Sequence, residues 1–143
     1  MDAATIWVGN AKELGAPEHA AKREAFLDKG DTLLVETRGE NGVEISTRDF
    51  QQAFPGVPVR ELFNIDINET GTAGCGNGVE GATILHALGL SVGNTKTDKL
   101  NWLGAAANAT AGAAATFKGT TLRPEHVPLI KKGFKHLTGY TPR

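Results

Sequence analysis

Apolar and polar positions alternate over short stretches early in the chain and gather into longer helical blocks later. Thr5-Ile6-Trp7-Val8 is an apolar run ending at Gly9-Asn10, which predicts a first strand. Pro17 suits a first helical position and Glu18 the positive end of the dipole, so a helix is expected through Phe26-Leu27 to Lys29, closed by Gly30. Residues 31–37 read as a strand and Val43-Glu44-Ile45 as its return. Asn41-Gly42 accept positive φ cheaply, which predicts an antiparallel hairpin over about 31–45. Ser46 or Thr47 then caps a short helix with Phe50, Ala53 and Phe54 on one face, ended by Pro55-Gly56. Phe63, Ile65 and Ile67 alternate with Asn64, Asp66 and Asn68, the period of a half-buried strand.

The second half reads differently. Residues 71–81 form a glycine-rich loop, and a helix follows from Ala82 to Leu88, closed by Gly89. An alanine-rich helix is expected between Thr97 and Phe117. A last one runs from Pro128 to Leu137, with Leu129, Ile130, Phe134 and Leu137 as its apolar stripe. Strands early and helices late predict an α+β fold rather than an alternating one. The expected organisation is a single domain over 1–143: strand-rich to residue 70, a glycine loop, then a helical, basic segment over 82–143.

Composition sharpens this picture in two places. At 143 residues, with 40% apolar and 22% charged positions, the chain is an ordinary globular domain. A single cysteine excludes an internal disulfide. The acid at Asp2 and the missing apolar core of a leader argue against a signal peptide in this sequence. The 18 residues from Leu100 to Phe117 just reach spanning length, but Asn101, Asn108, Thr110 and Thr116 dilute them. The expectation is therefore a cytoplasmic or particle-assembled protein without a transmembrane segment. Charge is strongly segregated: residues 1–93 hold 14 acids and 7 bases, residues 94–143 hold 2 acids and 8 bases. Lys131, Lys132, Lys135 and Arg143 in the basic end become candidate contacts for a polyanion or an acidic partner.

Candidate chemistry is concentrated at the glycine loop. Gly76-Asn77-Gly78-Val79-Glu80-Gly81 matches G-x-G-x-x-G, but no strand directly precedes it and no strand-ending acid follows about 20 residues on, as dinucleotide binding requires. Cys75 stands shortly before a helix N-terminus, where the dipole lowers a thiol pKa. Catalysis would also need a base, for which His86 is the candidate, with His126 and His136 on the lysine-rich tail placed less well. The four histidines are scattered without metal-ligand spacing, so neither a metal nor a cofactor is expected.

Taken together, these features favour a non-catalytic structural or interaction subunit of a larger assembly, of the viral-particle or secretion-apparatus type. Such a subunit would self-associate through charge-complementary ends, with other copies or other subunits as partners and nucleic acid as a lesser possibility. The alternative is a small cysteine-dependent hydrolase or transferase using Cys75 and His86.

Overall fold

A computed structural model of the chain describes residues 5–64, 75–116 and 123–140. The alternation at the start forms β1 (Ile6–Asn10), which sends Ile6 and Val8 to one face and Trp7 to the other. At its end Asn10 caps α1 (Ala11–Leu14). The Asn10 side chain accepts from the Glu13 backbone N–H at 2.8 Å, and Glu13 Oε2 accepts from the Asn10 N–H at 3.5 Å. These reciprocal bonds satisfy two otherwise free amides of the first turn. Pro17 opens α2 (Pro17–Asp28), one turn further on, as its position predicts.

β2 (Leu33–Thr37) and β3 (Val43–Ser46) form the expected hairpin, but its turn is built differently. Gly39–Asn41 make a turn of 3₁₀ helix, and the positive φ values fall on Gly39 (57°) and Gly42 (93°), with Asn41 taking none. A side chain at Gly42 would run into the Phe54 carbonyl. Residues 51–54, expected to be helical, instead form β4 (Gln51–Phe54), antiparallel to β3 with Val43 opposite Phe54. Backbone pairing with β3 outweighs the local helical period there, a tertiary override of a weak local preference.

The strand order is β1-β2-β3-β4, with β1 parallel to β2 and the remaining pairs antiparallel. The sheet lies in the N-terminal half and the later half is helical, so the chain is α+β. Phe63, expected in a strand, closes the short helix α3 (Val59–Phe63), and Asn64 ends it with φ 56°. The rest of that expected strand, including Ile65 and Ile67, lies outside the described residues.

Three helices complete the fold: α4 (Cys75–Ala87), α5 (Lys96–Ala114) and α6 (Val127–Thr138). Leu33, Val35, Val43 and Ile45 pack with Leu100, Leu103 and the alanines of α5 in the main core, joined by Val79, Ala82 and Phe134. The opposite face of the sheet buries Leu34 with Leu14, Phe26 and Trp7 under α1 and α2. Small residues let α5 sit this deep. A Cβ on Gly78 would lie 3.0 Å from Thr110 Cγ2, so α4 and α5 touch nearly backbone to backbone there. No helix among the described residues is long and apolar enough to cross a membrane.

Candidate functional site at the carboxyl end of the parallel strands

β1 and β2 are parallel, so their carboxyl ends open on the same edge of the sheet. Asn10, Ala11, Lys12, Glu36, Thr37, Arg38, Gly39 and Asn41 line a shallow cleft of about 630 Å³ there. In sheets with parallel strands, ligands bind in the crevice outside these ends, because the loops and helix starts converge there.

The floor of the cleft is held by a four-charge network. Glu36 and Glu44 stand directly opposite each other on β2 and β3, both buried. Two like charges across a strand pair repel, and two arginines offset this repulsion. Arg38 binds Glu44 Oε2 at 2.6 Å and Glu36 Oε1 at 3.3 Å. Arg23, reaching over from α2, lies 3.2 Å from Glu44 Oε1 and 3.2 Å from Glu36 Oε2, the latter an ion pair without hydrogen-bond alignment. Gln51 adds a bond to Glu44 Oε1 at 2.8 Å. Arg38 is thereby fixed beside the cleft, and Lys12 stands exposed on its rim.

The direction of α4 turns its amino terminus towards this end. Near the carboxyl end of α4, His86 and Ala87 share a pocket with Thr5, Ile6 and Thr32, at the amino ends of the strands. Glu80, closer to the start, shares a groove with Val8. The helix therefore runs antiparallel to β1, and its amino terminus points towards the carboxyl end of the strand. That terminus carries the positive end of the dipole, and its first turn holds no acid.

Sequence-predicted residues fall as follows. The helix starts at Cys75, seven residues earlier than expected, so the G-x-G-x-x-G stretch is helical instead of a loop. Within it, Gly78 is required by the close approach to α5, whereas Gly81 faces open space. Cys75 and His86 are not brought together: eleven residues of helix separate them by about 16 Å along the axis. The His86 ring instead bonds through Nδ1 to Ser91 Oγ at 2.6 Å. Burial, and secondarily Lys99, pull its pKa below the usual histidine value. His126 is buried, its Nδ1 accepting from the Arg123 N–H at 2.8 Å. Lys131, Lys132 and Lys135 are exposed on α6 and form no ion pair among the described residues. Arg143 lies outside those residues. No group of histidines, cysteines and acids suited to a metal occurs among the described residues. The cleft itself escaped the sequence reading, although Asn10-Ala11-Lys12-Glu13, an Asn followed three residues later by Glu directly after an apolar strand, is a capping-box signature.

The fold is shared with part of a class of small-molecule kinases. Nucleoside kinase from Burkholderia thailandensis, solved with inosine, aligns with 96% of this chain at 21% identity and a TM-score of 0.67, over 42% of its own length. Aminoimidazole riboside kinase from Salmonella enterica, solved with aminoimidazole riboside and an ATP analogue, aligns with 88% at 20% identity and a TM-score of 0.61, again over 42% of its length. Ribokinase from Thermotoga maritima aligns with 88% at 20% identity and a TM-score of 0.57. The chain thus spans about two-fifths of these structures, and at such identity the likeness is one of fold. No family model matches the chain, and no curated protein matches it.

This likeness of fold to kinases overturns the expectation of a structural assembly subunit self-associating through its charged ends. The charge segregation along the sequence is real, but the ion-pair network found among the described residues, Glu36–Glu44–Arg23–Arg38, is internal to its acidic half. The cysteine-hydrolase alternative fails as well, because the helix holds its presumed base far from its nucleophile.

Proposed function

We propose that this chain forms the nucleotide-binding part of a kinase that phosphorylates a hydroxyl of a nucleoside or a related sugar compound. The observation that carries the reading is that β1 and β2 end together at the open cleft beside Arg38 and Lys12, while α4, on the other face of the sheet, runs antiparallel to β1 with its amino terminus towards that same end. Kinship with proteins solved with inosine, with aminoimidazole riboside and with an ATP analogue supports it.

The chemistry follows from the charges. Phosphoryl transfer needs little covalent help from the protein; it needs alignment and stabilisation of spreading negative charge. A helix amino terminus without an acid in its first turn offers backbone N–H groups to a phosphate at no repulsive cost. Lys12 adds a mobile cation at the rim, and Arg38, clamped by two carboxylates, keeps the cleft wall rigid. A cleft of this size lies within the usual range for small-molecule sites, about 300–1,000 Å³.

Isothermal titration of ATP, ADP and inosine into the chain tests the proposal. ATP and ADP bind with dissociation constants in the range of about 1 μM to 1 mM common for enzyme substrates. Absence of heat from both nucleotides up to millimolar concentration would overturn it.

A further inference from the structure

Arg23 stands outside the lining of the cleft, yet it completes the charge balance beneath it. Two residues beyond Leu34 on β2, Glu36 faces the same side of the sheet, the side covered by α1 and α2. On α2, Arg23 lies three residues before Phe26, which packs on that side, so the helix carries its side chain over Glu36 and Glu44.

The four groups form a closed ring in which each carboxylate gives one oxygen to each arginine. Arg23 Nη1 meets Glu36 Oε2 and its Nη2 meets Glu44 Oε1, both at 3.2 Å. Arg38 takes the other two oxygens, Glu36 Oε1 through Nε at 3.3 Å and Glu44 Oε2 through Nη2 at 2.6 Å. Its Nη1 takes no part in the ring. Two cations and two anions leave the ring neutral. Both carboxylates are buried, so water replaces a lost cation poorly. Among the described residues no third cation pairs with either acid. Neutrality matters because Glu36 itself lines the cleft. A bare carboxylate there would repel a phosphate, whereas one neutralised from behind does not.

We propose that Arg23 is a positioning residue for the nucleotide site, acting through Glu36 and Glu44 on Arg38; the inference rests on the nucleotide reading of the cleft. By holding one oxygen of each acid, Arg23 limits the hold of the ring on Arg38, whose side chain stays 36% exposed beside the cleft. Without Arg23 the ring carries one uncompensated negative charge. Arg38 is then drawn onto both acids and away from the cleft, and a ligand phosphate meets a negative floor. Two unit charges a few ångströms apart in water change an equilibrium by about fivefold, and a diphosphate carries more than one, so ADP is expected to bind about five- to tenfold more weakly.

Calorimetry with ADP, joined to proton–nitrogen NMR of the arginine Nε–H groups, tests this. Arg23→Gln weakens ADP by that factor and shifts the Arg38 Nε–H signal, assigned by its loss in Arg38→Lys. Arg23→Lys keeps the charge and recovers most of the affinity. Phe26→Leu, on the same helix but outside the ring, lowers Tm and leaves ADP affinity and the Arg38 signal unchanged. In the unsubstituted chain bound ADP moves the Arg23 Nε–H signal, a readout that needs no variant to fold. Unchanged affinity in Arg23→Gln, equal weakening in Phe26→Leu, no recovery in Arg23→Lys, or an Arg23 signal indifferent to bound ADP would each overturn the proposal. An unsubstituted chain that binds no ADP overturns the nucleotide reading instead; the Arg38 signal, read without nucleotide, then upholds or overturns the positioning of Arg38 by Arg23.

Discussion

Gly104 and Gly81 both lie inside helices, and the structure assigns opposite signs to the same substitution at the two positions. A Cβ at Gly104 would stand 2.5 Å from Phe54 Cδ1 and Cδ2, where carbon atoms prefer about 3.5–4.0 Å. The ring must retreat by about 1 Å or more to reach that separation. Phe54 is poorly free to do so. Its carbonyl accepts from Asn108 Nδ2 at 3.1 Å, and its backbone sits in the β3–β4 register opposite Val43. Overpacking of this kind costs about 1–3 kcal/mol, against a gain of about 1 kcal/mol from replacing glycine by alanine in a helix. A contact about 1 Å too short falls in the upper part of that range, about 2–3 kcal/mol, so Gly104→Ala is expected to lose about 1–2 kcal/mol net. At Gly81 an added Cβ meets nothing within 4 Å, so Gly81→Ala keeps the propensity gain of up to about 1 kcal/mol. Urea unfolding followed by circular dichroism measures both, and each kcal/mol moves Tm by about 3 °C for a chain of this length. Gly104→Ala matching or exceeding the wild type would show that α5 and β4 are not packed as described.

Other outcomes follow from the same structure. Arg23→Ala leaves Glu36 and Glu44 opposed with one arginine between them, and it is expected to cost about 2 kcal/mol, below the usual figure for a broken buried pair because Arg23 is part exposed; denaturant midpoints check this. His86 has a pKa lowered in the fold, so the unfolded chain binds the proton more readily. The His86 contribution is present above the ordinary histidine value of 6.5 and is lost as pH falls through that value towards the folded pKa; Tm measured from pH 7.5 to 5.5 falls less in His86→Gln. Lys12→Glu is expected to weaken ATP binding about tenfold, roughly 1.4 kcal/mol, with Tm unchanged, because the side chain is exposed on the cleft rim; calorimetry and thermal unfolding separate the two effects.

Elements whose local pattern agrees with their tertiary role were legible in the sequence. Ile6–Val8, the helix opened by Pro17, the 31–45 hairpin and the stripe of the last helix all appear near their expected positions. Two elements contradict local chemistry. β4 has helical spacing at Phe50, Ala53 and Phe54 and becomes a strand only because β3 offers an edge to pair with. The start of α4 carries Gly76, Gly78 and Gly81, which disfavour a helix. The close seat of Gly78 on Thr110 repays part of that cost through packing no sequence window contains. The candidate site was hidden for the same reason. Asn10, Thr37 and Arg38 are far apart along the chain and meet only once β1 and β2 pair in parallel. Cys75 drew notice as a nucleophile by its position before a helix, and what that position supplies is the helix terminus itself.

The most direct test of the nucleotide reading is hydrogen–deuterium exchange of the chain with and without saturating ADP. The account expects slowed exchange at Asn10–Glu13, at Thr37–Asn41 and in the first turn of α4, with no change along Lys131–Lys135. Protection confined to the lysines of α6, or none at the end of β1 and β2 despite bound nucleotide, would contradict it.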